Sequence, residues 1–266
     1  MTRVVIHAGF HKTATSSVQA MLRANAQTLA AEIRVVLRED IDSLASITGA
    51  YPLLDGADRL KKISRRAFRF FKTCDTADPR PILVSCEDLA GTIPGRLTVT
   101  GYAGTTEILS RISRAAKSSF GSELDLVYFF STRSPADWLR STWWQNLRSS
   151  RLTEDLSTYS ARLCTASDHE TALRDIAQAL YPVRVTSLSL EECQDLPHGP
   201  LMPLLELVGV STALRAALIA QPPANVRPDL GLEEVFLALN RSRLSDKDLR
   251  SAKRSLLRMV TNNNRP

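Results

Sequence analysis

The stretch "VVIHAGFHKTATSSVQAML", residues 4–22, joins a β-branched run to an amphipathic segment through a turn of small and hydroxyl residues. Residues 3–9 predict a buried strand that ends at Gly9. From Thr15 to about Leu29, the apolar Val18, Met21, Leu22 and Leu29 fall mostly on one helical face. Strand, turn and helix in that order make an anion site. The first amides of a helix lack intrahelical partners, and the helix dipole adds partial positive charge. Gly9 lets the backbone bend, Lys12 supplies a full positive charge, and Thr13, Thr15, Ser16 and Ser17 supply donors. Capping alone needs one hydroxyl and gives no reason for Lys12.

The alternation continues along the chain. Further strands are predicted at 33–39, 82–85, 124–132 and 183–188, and helices at 57–73, 106–118, from Ser134 onward and at 168–180. Ser134 can cap its helix, Pro135 suits the first helical position, and Asp137 completes a capping-box-like pattern. Strands alternating with helices imply an α/β fold, a central, mostly parallel sheet between two helical layers. The C-terminal part, from about residue 200, reads as mainly helical, around 201–209, 231–241 and 245–260, with 221–231 as an exposed link. With no repeat and no composition break, residues 1–266 read as a single domain. The Gly-, Thr- and Pro-rich segment 91–105 reads as a flexible loop suited to binding an acceptor.

Composition narrows the function classes. Hydrophobic residues make up 44% and charged residues 23%, a globular mixture. The net charge of +6 favours anionic ligands. No basic run alternates with aromatics as a nucleic-acid surface would require, and "RLKKISRRAFRFFK" (59–72) reads as a solvated helix face. The four cysteines, Cys74, Cys86, Cys164 and Cys193, show neither metal-ligand nor disulfide spacing. The first residues lack the pattern of a signal peptide, and no run approaches the roughly 20 apolar residues of a membrane span. A cytoplasmic protein without stable membrane insertion is expected.

A nucleotide P-loop wants G-x-x-x-x-G-K-[ST]. With Lys12 as its lysine, the two glycine positions hold Ile6 and His11, so only the Lys-Thr pair fits. A kinase or NTPase using ATP and Mg²⁺ is therefore the runner-up. "HAGFHKTATSSVQ" instead resembles the 5′-phosphosulfate-binding loop of sulfotransferases that use 3′-phosphoadenosine 5′-phosphosulfate (PAPS). The pattern in that family is close to G-x-x-K-[ST]-G-[ST]-[ST], and its bacterial, carbohydrate-sulfotransferase-like branch often carries "HKTGTTSLQ". Ala14 stands where glycine is usual, which requires a negative φ there. The resemblance calls for a second element, an arginine at the end of a central strand with a serine eight residues on. "YFFSTRSPADWLRSTWW" supplies Arg133 and Ser141 at that spacing.

The resemblance implies a P-loop-NTPase-like sulfotransferase fold. It also implies transfer of a sulfuryl group from PAPS to a hydroxyl acceptor, a carbohydrate or glycoconjugate, with no metal required. Cofactor binding falls to Gly9, Lys12, Thr13, Ala14, Thr15, Ser16, Ser17, Arg133 and Ser141, with Lys12 also catalytic. Glu87, after a predicted strand, is the first choice of general base, and His11 the alternative. His7 reads as a satisfied core histidine, while His169 and His198 stand in polar contexts without a chemical role. The tryptophan that small-molecule sulfotransferases place five residues after the loop lysine is replaced by Ser17, and their C-terminal cofactor loop is not recognisable. Adenine then falls to residues near 143–147 or to Asn225–Arg227. A catalytically inactive module retaining the cradle is a further alternative. Neither acceptor identity nor oligomeric state has a readable motif.

Overall fold

The computed structural model describes residues 2–53, 56–221 and 231–263. All but the ends of the expected link 221–231, including Asn225–Arg227, lies outside the described residues. Five parallel strands form one sheet in the order β2-β3-β1-β4-β5, with β1 Thr2–Gly9, β2 Arg34–Leu37, β3 Ile82–Ser85, β4 Leu124–Thr132 and β5 Arg184–Ser189. Val4 lies opposite Ile82 on one side and Leu126 on the other, which places β1 at the sheet centre. Val4, Val5 and Ile6 are fully buried there. Each such aliphatic side chain contributes about 1.5–3 kcal/mol of burial free energy.

Both sheet faces are covered, as a parallel sheet demands. Val4, Ile6, Val84, Tyr128 and Phe130 pack under the helices Gly56–Thr73, Ala103–Phe120, Pro135–Ser149, His169–Leu180 and Glu233–Arg241. Val5, Leu83, Val127 and Phe129 pack under the helices Thr15–Ala24 and Met202–Val208. The basic helix 56–73 buries Ile63, Ala67 and Phe71 and leaves Arg59, Lys61, Lys62 and Arg65 outside the core. Among the described residues no helix is long and apolar enough to cross a membrane.

Three differences from the sequence reading have local causes. The first helix stops at Ala24, where Asn25 leaves helical geometry. There Asn25 Nδ2 donates to the carbonyls of Met21 and Ile219, and a separate turn, Ala26–Leu29, follows. The helix expected from 106 begins at Ala103. The segment before it is packed rather than free: Pro94 O accepts from Asn146 Nδ2 at 2.9 Å and from Tyr159 Oη at 3.3 Å. At Gly95, with φ +85°, an added Cβ would stand 2.2 Å from the Tyr159 hydroxyl, so only glycine fits. Finally, Ser134 caps its helix without a reciprocal box. Its hydroxyl meets Asp137 N, but its own amide donates to Glu191 Oε1 at 3.0 Å instead of to Asp137.

The C-terminal helices Glu233–Arg241 and Asp246–Asn263 grip the far end of the 135–149 helix. Lys253, 4% exposed, donates to the carbonyls of Leu147 and Ser150 at 2.7 and 2.8 Å. Asn240 Nδ2 donates to Leu147 O and Leu152 O, and Arg151 reaches the carbonyls of Asn240, Ser242 and Leu244. The carbonyls that a helix leaves without partners at its C-terminus are thereby satisfied.

Candidate active site

The sheet delivers its chain connections to one edge, where its strands end, the usual ligand crevice of an open α/β sheet. A cleft of about 1070 Å³ opens there. Residues after β1 (His11, Lys12, Ala14–Ser17), after β3 (Glu87, Asp88, Ile93, Arg96), after β4 (Arg133 to Arg148) and after β5 (Leu190, Glu191, Gln194) line it.

The turn after β1 is strained. Gly9, Lys12 and Ala14 all have positive φ, at 104°, 65° and 64°. The negative φ expected of Ala14 is thus overturned: it occupies left-handed space as the residue before the helix, at a cost of about 1–2 kcal/mol. An added Cβ at Gly9 would lie 3.3 Å from Glu87 Cβ, so glycine also lets β1 approach the candidate base. Thr13 departs from the expected outward set of hydroxyls. It is buried, and its Oγ1 donates to Phe10 O at 2.5 Å, with Thr15 Oγ1 reaching the same carbonyl at 3.4 Å. Thr13 therefore knots the turn and has only its backbone to offer a ligand. Among the described residues no side-chain cap or first-turn acid offsets the positive end of helix 15–24.

Lys12 is half-buried, and its pKa is lowered by burial and then by Arg148 and Arg133, with Glu87 acting in the opposite sense. Arg133 donates to Lys12 O at 3.5 Å, and Trp138 Nε1 to His11 O at 2.9 Å, which ties the β4 turn to the β1 turn. Ser141 faces the same cleft. It stands six residues, about 9 Å, into its helix, within reach of whatever the long Arg133 side chain holds. Glu87 leaves β3 in a short 3₁₀ turn, and its Oε2 accepts from Gln19 Nε2 at 2.8 Å, which fixes the carboxylate at the cleft.

The histidines separate clearly. His7 is fully buried between Ser85 Oγ (3.0 Å) and Ser131 Oγ (2.8 Å), and burial lowers its pKa to about 4, as suits a core histidine. His11 lies at the cleft with a buried Nδ1 that has no hydrogen-bond partner among the described residues. Burial, Arg96 and Lys12 hold its pKa down at about 3, so it stays neutral and is a weak base. His169 corrects the polar context assigned to it. It is buried, stacked on Phe10 at 4.7 Å and edge-on to Trp138, with a pKa lowered by burial to about 4.

Motif reading missed three cleft arginines, Arg96, Arg140 and Arg148. A signal was available. Counting from Ser141 by helical spacing gives Trp144, Gln145 and Arg148, and that face does line the cleft. The charges are not balanced within it. Every cleft carboxylate has a donor: Glu87 from Gln19, Asp88 from Arg38 at 2.8 Å, Asp137 from Ser134 and Glu191 from the Ser134 amide. Among the described residues none of Lys12, Arg96, Arg133, Arg140 and Arg148 has a carboxylate partner. Like charges held this close disfavour one another, and a multiply charged anion relieves them. Trp144 stacks on Phe236 at 5.4 Å and carries Arg148 over its ring, so it serves the core and the cleft wall together.

No family model matches the chain, and no curated protein matches it. Among solved structures it is similar to a sulfotransferase from Alicyclobacillus acidocaldarius, at 16% identity over 94% of this chain and 98% of that one, with a TM-score of 0.46.

Proposed function

We propose that this chain is a sulfotransferase that moves the sulfuryl group of PAPS to the hydroxyl of an acceptor, a carbohydrate or glycoconjugate. The observation that carries this reading is the set of cations around Lys12, none of which has a carboxylate partner among the described residues. It suits a donor with two separated anionic groups. The turn after β1, with Lys12, Thr15, Ser16, Ser17 and the backbone at Thr13 and Ala14, is assigned to the 5′-phosphosulfate. Arg133 and Ser141 are assigned to the 3′-phosphate.

The chemistry asks little else of the protein. The acceptor oxygen attacks sulfur, the bond from sulfur to the bridging oxygen breaks, and negative charge grows on the departing phosphate. Lys12 and the open end of helix 15–24 face that growing charge and stabilise the transition state more than the ground state. Glu87 takes the acceptor's proton, oriented by Gln19. His11, held neutral, is left as a hydrogen-bonding partner rather than the base.

The test is the melting temperature with 3′-phosphoadenosine 5′-phosphate (PAP) and with ATP–Mg²⁺, on wild type and on Arg133→Ala. Binding to the native state raises apparent stability. A shift with PAP that Arg133→Ala removes is the expected result, with affinity reduced by roughly 10–100-fold for one charge-assisted contact. A shift with ATP–Mg²⁺ alone makes the cleft a nucleoside-triphosphate site and ends the sulfotransferase reading.

A further inference from the structure

The positive charge of the chain is concentrated on one side of a helical layer, apart from the cleft. The helices Gly56–Thr73 and Ala103–Phe120 carry ten Lys and Arg between them and only two acids, Asp58 and Glu107. That is a net +8 in a chain of net +6, so everything outside the two helices sums to a slight negative charge. Each helix precedes a strand, β3 for the first and β4 for the second, so the two run in the same direction across the sheet. They lie side by side, and near their shared end Phe71 meets Phe120 with ring centroids 6.2 Å apart.

One side of each helix goes into the core, with Ile63, Ala67 and Phe71 from the first and Ile108, Ile112 and Ala116 from the second. Lys62, Arg65, Arg69, Lys72, Arg114 and Lys117 are exposed. Among the described residues none of these six has a carboxylate partner. The two acids are engaged elsewhere: Asp58 pairs with Lys61 at 3.3 Å, and Glu107 accepts from the Tyr51 hydroxyl. Arg65 and Arg69 stand four residues apart and Arg69 and Lys72 three, spacings at which like charges weaken a helix. Each helix is about 27 Å long, and packed helices lie about 8–10 Å apart. The cations therefore cover a broad surface instead of converging on a point. Phe68, 38% exposed, stands among them with Lys72 Nζ 5.0 Å from its ring centre.

We infer that this face docks the protein on an anionic lipid surface. Cations spread over two parallel helices complement a plane of lipid phosphates, whereas a single small anion needs them to converge. The exposed Phe68 favours a bilayer over a nucleic-acid duplex. An aromatic ring beside cations is accommodated where headgroups meet acyl chains, and a phosphate backbone offers it no such place. The apolar sides of both helices stay in the protein core, so the protein rests on the lipid surface and does not enter it. This docking is independent of the reading of the cleft.

Co-sedimentation of the full chain with vesicles tests it, in about 0.1 M salt. One set is pure phosphatidylcholine and the other contains roughly 30% phosphatidylglycerol as the anionic lipid. Wild type is expected to prefer the anionic vesicles at least about tenfold, with the preference falling as salt rises. The combined variant Lys62→Gln, Arg65→Gln, Arg69→Gln, Lys72→Gln should lose that preference. A matched variant, Lys247→Gln, Arg250→Gln, Arg254→Gln, Arg258→Gln, removes the same charge from exposed positions of the helix Asp246–Asn263 and should keep it. Arg114→Gln with Lys117→Gln, on the neighbouring helix, should lower the preference about threefold and guards against a misfolded quadruple variant. Equal binding to both vesicles, binding to neither, equal losses in the two quadruple variants, or tighter binding to a DNA duplex than to the anionic vesicles overturns the inference. PAP binding, which tests the cleft, stands or falls separately.

Discussion

The turn after β1 and the turn after β4 both carry the chain from a central parallel strand into a helix, but they treat the helix end in opposite ways. After β4, Ser134 caps the first turn, Pro135 starts it and Asp137 adds a negative charge. After β1 the residue before the helix is a left-handed alanine, no side chain caps it and no acid stands in the first turn. The first is finished by the chain's own groups. The second is left incomplete at the mouth of a cleft, with Lys12 beside it. An uncapped helix start beside a capped one keeps amide donors that an anion can satisfy.

That contrast can be broken most directly at Lys12. Lys12→Ala should lower kcat at saturating PAPS by about 10²–10³-fold, the range for losing one preorganised charge at a transition state. An unchanged kcat would mean that the β1 turn is not the site of chemistry.

Acid should reveal what lies beneath the first turn. His7 and His169 are held neutral with pKa values of about 4, whereas the unfolded chain takes those protons near 6.5. Stability from this source is intact above about pH 6.5 and falls as pH drops toward 4, by about 3 kcal/mol per group. Urea midpoints measured from pH 7 to 4 should show that slope. His169→Phe should flatten it and also raise the midpoint at pH 7, because both ring nitrogens of His169 are buried without hydrogen-bond partners among the described residues.

The capped turn should respond in stability rather than in chemistry. Ser134→Ala is expected to cost about 1 kcal/mol, read as a fall of a few degrees in Tm. A kcat effect rivalling that of Lys12→Ala would erase the distinction between the two turns. Smallest of all is Ala14→Gly. Relief of the left-handed alanine is offset by the greater freedom of glycine in the unfolded chain, which leaves a net gain of a few tenths of a kcal/mol in a urea titration.

The strands were the most legible part of the molecule, because each is a short apolar run bounded by polar or turn residues. The readings at 82–85 and 124–132 coincide with β3 and β4 to the residue. Short helices such as Asp42–Thr48 and Leu156–Leu163 escaped notice because two turns are too few to establish a helical period. Within the site, Lys12, Arg133, Ser141 and Glu87 were visible from motif and strand position, and the fold brings all four to one cleft. The direction of Thr13 was not visible. It depends on where the Phe10 carbonyl points once Gly9 and Lys12 take positive φ. Arg96 was hidden for a different reason: a loop rich in Gly, Thr and Pro reads as mobile, whereas its anchors, Asn146 and Tyr159, lie far along the chain.

The clasp on the 135–149 helix has a consequence for the order in which the protein is made. Lys253 and Asn240 bond to Leu147 O across 106 and 93 residues of chain. The β1 turn, by contrast, is tied by bonds three and five residues long. During synthesis the β1 turn has its local ties almost at once, while the helix that faces it waits for the chain's last described helix before its far end is pinned. A nascent chain halted before Lys253 therefore carries both candidate motifs and lacks part of the support that holds one of them in place.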